Sequence, residues 1–106
     1  MEDQIIYYGQ ANQDGEFTIT ACKIIEEEPY SYKTAYNRFY KAKFDKEIDS
    51  TGYDEYFYEE YKFFSFDKEK VEEFIREKRQ YFVNKTKKFL EELESNKVNY
   101  MEEWKE

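Results

Sequence analysis

With 106 residues the chain is long enough for one domain with its own apolar core. Its net charge of −8 works against a general nucleic-acid-binding role, because affinity for phosphates comes largely from Lys and Arg displacing counterions. The sequence has no His, a single cysteine (Cys22) and three separated glycines (Gly9, Gly15, Gly52). That composition excludes His-based catalysis, an intrachain disulfide, Cys/His zinc sites and a Gly-rich phosphate loop.

No run approaches the ~18 apolar residues of a membrane span, and the acidic start MEDQII is unlike a signal peptide, so the chain reads as cytoplasmic. The charge is uneven. Residues 1–66 hold 14 acidic and 7 basic side chains, residues 67–106 hold 11 and 10. Aromatic content is high, with 12 Tyr, 10 Phe and 1 Trp. Codon drift in an A/T-rich genome accounts for such an excess, and so does selection for rigid contact area at an interface.

Residues 4–9 (QIIYYG) and 16–25 (EFTITACKII) are β-branched and aromatic runs flanking ANQDG, and Asp14-Gly15 predicts a hairpin between them. Phe17, Ile19, Ala21 and Ile25 share one face of the second strand; Thr18, Thr20, Cys22 and Ile24 share the other. Glu26-Glu27-Glu28-Pro29 ends the strand. Residues 34–44 fit either a helix (Tyr36, Phe39, Tyr40) or a strand (Tyr36, Arg38, Tyr40, Ala42, Phe44). The strand is preferred, because the aromatic run 55–66 needs a neighbour. Residues 45–54 form the turn between them.

Residues 66–94 give the clearest signal. Asp67 is placed to cap a helix, with Phe66 and Val71 at staple positions. Val71, Phe74, Ile75, Phe82, Phe89, Leu90 and Leu93 fall within a stripe of roughly 160°. Lys78 projects into that stripe, so its stem lies over the core with the ammonium reaching out, or it pairs with a carboxylate of a partner protein. The predicted fold is α+β: an antiparallel β-meander of about four strands (4–66), one long C-terminal amphipathic helix (67–95), and a short helical or frayed tail (96–106) carrying Tyr100, Met101 and Trp104. A helix of that length overhangs a domain of this size, leaving Phe89, Leu90 and Leu93 to be received by something else.

Candidate chemistry is sparse. Asp45, Glu47 and Asp49 alternate like the opening of a calcium loop, but Ser50 and Tyr56 stand where that loop needs Gly and Glu. Glu59 and Glu60 are adjacent on a strand and point to opposite faces, so they cannot converge for acid–base work. Arg38, Lys41 and Lys43 interleave with Tyr36, Phe39 and Tyr40 as in single-strand RNA binders, yet a strand would split them between two faces. The helix cations Arg76, Lys78, Arg79, Lys85, Lys87 and Lys88 point in most directions and read as a salt-laced solvent face. No catalytic residue, metal or cofactor is expected.

What remains is surface. A single helix covers one face of a sheet, so the other face is expected to present Tyr53, Tyr56, Tyr58 and Tyr61 to a partner. Glu26, Glu27, Glu28, Asp49, Asp54, Glu55, Glu59 and Glu60 would form its acidic rim. CKIIEEEPYSY, NRFYKAKFDKEI and YKFFSFDKEKVEEFI, in that order, resemble small proteins carried by phages and mobile elements of A/T-rich bacteria. Acidic members of that population include inhibitors of host defence, anti-CRISPR proteins among them. The resemblance implies a non-enzymatic protein-binding inhibitor of a nucleic-acid-handling bacterial defence enzyme, engaging a basic groove as a nucleic-acid mimic and binding neither nucleic acid nor membrane itself. The alternative is a homodimeric structural or accessory protein assembled through Phe89, Leu90 and Leu93.

Overall fold

The computed structural model describes residues 4–53, 57–96 and 101–103. The predicted hairpin is present as β1 (Ile5–Asn12) and β2 (Phe17–Lys23), antiparallel with Ile5 opposite Lys23 and Ala11 opposite Phe17. The turn is built by Asn12, whose side-chain oxygen accepts the N–H groups of Asp14 and Glu16, each at 3.1 Å. Gly15 takes the φ of 82° that the turn requires, a value that penalises any residue with a Cβ.

The next three strands leave the first sheet. β3 (Glu26–Glu27), β4 (Ser31–Lys33) and β5 (Arg38–Tyr40) form a small sheet of their own in that order. β6 (Ile48–Asp49) and β7 (Glu60–Ser65) then return, giving a four-stranded antiparallel sheet of order β2-β1-β7-β6. The α+β class, the antiparallel four-stranded sheet and the long C-terminal helix agree with the sequence reading; the sequential meander order does not. The run 34–44 is a strand only at Arg38–Tyr40, followed by a 3-10 turn at Lys41–Lys43. The physical reason is local. Thr34 Oγ1 accepts the Asn37 N–H at 3.2 Å and closes a turn, and Asp45 adopts a φ of 59° just after Phe44, so no long strand can form between them.

This rerouting also corrects the expectation of an uncovered sheet face. Ile6, Tyr8, Cys22 and Phe64 point to the side on which the small sheet lies, where they enclose Phe39 with Tyr32, Phe44 and Ile48. Phe39 sits edge-on to Tyr8 and Phe64, with centroids at 5.2 and 4.8 Å. The second cover comes from the chain itself.

The opposite side carries α1 (Lys68–Ser95), capped by Asp67, which accepts the Glu69 N–H at 3.0 Å. Val71 and Phe74 are 0 % and 5 % exposed and lie over Gly9. A Cβ at Gly9 would come within 2.8 Å of Val71 Cγ1, so glycine is what lets the helix approach so closely. Phe63 stacks on Phe74 at 5.4 Å, while Phe17 and Tyr61 each meet Phe82 at 6.2 Å. Phe66 packs instead with Tyr32 and Phe44, on the small-sheet side. Lys78 lies over the Tyr61 ring, 3.9 Å from its centroid, and its ammonium pairs with Glu47. The helix is ~42 Å long at 1.5 Å per residue and outruns the sheet. Phe89, Leu90 and Leu93 remain 58 %, 51 % and 54 % exposed. Of the expected tail helix, Tyr100 and Trp104 lie outside the described residues.

Candidate functional site: an acidic and aromatic tip

Pairing of β1 with β7 brings two loops together at one end of the sheet. Asn12 faces Glu60 across the ladder. The Gln13 N–H donates to the Glu59 carbonyl at 3.1 Å, and the Glu59 N–H donates to Gln13 Oε1 at 2.9 Å. The Tyr58 hydroxyl donates to Asp14 Oδ2 at 2.8 Å. Beyond β6 and β7 the pairing continues through Gly52 and Tyr58, which exchange two backbone hydrogen bonds of 2.7 and 3.0 Å. At the extremity Tyr53 and Phe57 are 75 % and 50 % exposed, their rings 5.5 Å apart and edge-on. Phe57 holds a φ of 27°, a strained value for an aromatic residue.

The charge follows the same geography. Residues 14–16 and 45–60 hold nine carboxylates and one lysine, a balance equal to the −8 of the whole chain. The helix neutralises three of them in order along its length: Lys70 pairs with Asp45 at 3.8 Å, Lys78 with Glu47, and Lys85 with Glu59. Asp14, Glu16, Asp49 and Glu60 have no ion pair among the described residues. Hydrogen bonds from Thr51 hold the Asp49 carboxyl below the usual range, with its N–H donating at 2.9 Å. Loss of hydration, the hydrogen bond to Asp14 and the nearby charges of Asp14, Glu16 and Glu60 push the Tyr58 phenol up to about 12. Asp49 is therefore ionised at neutral pH, and the Tyr58 phenol keeps its proton.

Of the residues expected at a partner surface, Asp49, Glu60, Tyr53 and Tyr58 come together here. Asp54, Glu55 and Tyr56 fall between them in the sequence and lie outside the described residues. Glu59 and Tyr61 are corrections. Both are turned toward the helix: Tyr61 alternates with Glu60 along β7, and Glu59, just before the strand, is held there by Tyr61, Tyr81 and Lys85. Glu59 is 5 % exposed and accepts hydrogen bonds from Tyr61 at 2.8 Å and Tyr81 at 2.6 Å, besides its pair with Lys85. Burial raises its pKa, but Lys85 and the two phenols outweigh burial and hold the carboxyl below its ordinary value. Glu59 is a structural anchor for the helix, not part of a rim.

Glu26, Glu27 and Glu28 lie at the other end of the fold. Lys23 faces Ile5 and Glu60 faces Asn12, so the length of β1, about 23 Å at ~3.3 Å per residue, separates the two acidic groups. The three are also matched locally: Glu26 faces Lys33, Glu27 pairs with Lys41 at 3.4 Å and Glu28 with Arg38 at 3.3 Å. They do not continue the tip.

Sequence reasoning missed Asp14, Glu16 and Phe57. Asp14 read as a turn residue and Glu16 as the start of the second strand, and only the β1–β7 pairing places them beside residues 49–60. Chemically, the tip offers carboxylates and rings. Among the described residues no group of three or more Asp, Glu or Cys converges to hold a metal ion. Asp45, Glu47 and Asp49 are each engaged by a different partner. Among the described residues no helix is long and apolar enough to cross a membrane. No family model, no curated protein and no solved structure matches the chain.

Proposed function

We propose that the chain is a non-catalytic, acidic protein-binding module, an inhibitor of the anti-CRISPR kind. Its tip occupies the basic, nucleic-acid-binding groove of a bacterial defence enzyme in the cytoplasm. The reading is supported above all by the concentration of unpaired carboxylates at one end: Asp14, Glu16, Asp49 and Glu60 beside the exposed rings of Tyr53 and Phe57. Carboxylates set on a strand-and-loop frame give a cationic groove complementary charge, and the rings supply anchors that exclude water. A helix that already neutralises Asp45, Glu47 and Glu59 leaves the distal charges for another molecule.

The test uses the wild-type chain and a fourfold variant, Asp14→Asn, Glu16→Gln, Asp49→Asn and Glu60→Gln. Each is immobilised and challenged with lysate from a bacterium equipped with nuclease-based defence, and captured proteins are then measured pure. The expected partner binds nucleic acid, loses about tenfold or more in affinity against the variant, weakens as salt rises, and is displaced by its own nucleic acid. Equal capture by the variant, salt-independent binding, or a ternary complex with nucleic acid still bound overturns the proposal.

A further inference from the structure

The overhanging end of α1 carries a second pattern that the tip does not explain. Val83, Thr86, Leu90 and Leu93 recur at spacings of 3, 4 and 3, the seam of a helix pair, and the apolar members are substantially exposed. Phe89 flanks this seam on one side; Lys87 and Glu94 flank it on the other. The charges along the segment are ordered, with Lys85, Lys87 and Lys88 first and Glu91, Glu92 and Glu94 after them. The last turn has no basic residue, which opposes the helix macrodipole. The i,i+4 pairs Lys87/Glu91 and Lys88/Glu92 run in the weaker order, with Lys N-terminal to Glu. Neither Lys87 nor Glu94 has an ion-pair partner among the described residues.

An arrangement that is unfavourable for one helix is favourable for two antiparallel ones. We infer that α1 pairs antiparallel with α1 of a second copy through residues 86–96, Leu90 of each packing on Leu93 of the partner subunit and Lys87 of each pairing with Glu94 of the partner subunit. Antiparallel seams set an a position against a d position, and this register does so at Leu90 and Leu93. The flanking residues then meet as opposite charges twice, once on each side of the two-fold axis. A parallel pair would instead set Glu94 beside Phe89 of the partner subunit and Lys87 beside Phe82, a ring already packed on Phe17 and Tyr61, and would leave both charges without a counter-charge. Glu91, Glu92 and Lys88 point away from the seam. The overlap ends at Thr86, where the turn residues Gln13 to Gly15 come up beside the helix. The interface is two-fold and self-complementary, as a closed dimer requires, and independent of the reading given for the tip. Its small area makes it a weak dimer, with dissociation in the range of about ten to a hundred micromolar.

Sedimentation equilibrium of the full chain between about 5 and 500 µM tests the inference. The wild type is expected to pass from monomer to dimer across that range, and Leu90→Glu to stay monomeric. Leu90 is half exposed, so the variant keeps its fold, as an unchanged helical circular-dichroism signal verifies. Direction is read by cross-linking. Lys87→Cys and Glu94→Cys chains are oxidised separately and as a mixture, with Cys22 buried in the core. A disulfide-linked dimer predominating in the mixture supports the antiparallel register. Cross-linking of each variant with itself as readily as in the mixture, or a wild type that remains monomeric at 500 µM, overturns it.

Discussion

The two halves of α1 carry the same apolar periodicity and meet opposite fates. From Val71 to Phe82 the stripe is received by Gly9, Phe17, Tyr61 and Phe63, and Val71 is 0 % exposed. From Val83 to Leu93 the apolar residues Val83, Phe89, Leu90 and Leu93 each stay more than a third exposed. Periodicity thus specifies a helix and the direction in which it is sticky. Whether the sticky side is covered depends on how far the sheet reaches, and β1 with β7 ends at Asn12 and Glu60.

The contrast is broken most strongly by truncating one residue in each half. Phe74→Ala removes a ring buried over Gly9 and is expected to cost about 3–5 kcal/mol in urea unfolding. Leu93→Ala, measured at a concentration where the chain is monomeric, is expected to stay within about 0.5 kcal/mol of wild type. Comparable losses at both positions would mean that the overhang is packed. Gly9→Ala sharpens the comparison from the sheet side. The new methyl meets Val71 and Phe74 at 2.8 and 3.1 Å, so the clamped half must lift, at a cost of about 1–3 kcal/mol, while the circular-dichroism signal of the helix persists.

A pH-dependent effect lies at the boundary between the halves, where Lys85 reaches down to Glu59. The folded pKa of Glu59 lies below its ordinary value of 4.5. Its interactions with Lys85, Tyr81 and Tyr61 therefore stabilise the fold at every pH above that value and are lost as pH falls through the folded pKa. Glu59→Gln is expected to be less stable than wild type at pH 7, with the gap narrowing below pH 4.5 as the wild-type carboxyl takes up its proton. A gap that stays constant deep into acid would remove Glu59 as the titrating anchor. The companion shift is on Lys85, raised chiefly by its hydrogen bond to Glu59.

What can be read from the sequence is what local chemistry decides. The Asp14-Gly15 turn and the Asp67 cap each depend on a few adjacent residues, and each is present. Counting alone places Lys78 in the middle of the apolar stripe, though it does not name its partner Glu47. The strand order and the small sheet are illegible because pairing Tyr8 with Phe64 across more than fifty residues leaves no trace in local spacing. The tip inherits that blindness. Alternation along β7 requires that Glu59 and Glu60 diverge, but only the position of the helix decides that Glu59 is the buried one.

β2 is an outer strand of the larger sheet, and from Phe17 to Cys22 it carries no charge, no proline and no bulge. Most soluble proteins blunt such an edge with a lysine or a kink. Here the guard is electrostatic and remote, since molecules bearing −8 repel before their edges meet. Acidification toward the isoelectric point near 4.7 disarms that guard by cancelling the net charge, and further acid restores repulsion with the opposite sign through the 17 Lys and Arg. Colloidal stability is thus expected to be set by the solvent more than by the fold, lowest near the isoelectric point and in high salt, as light scattering against pH and ionic strength checks.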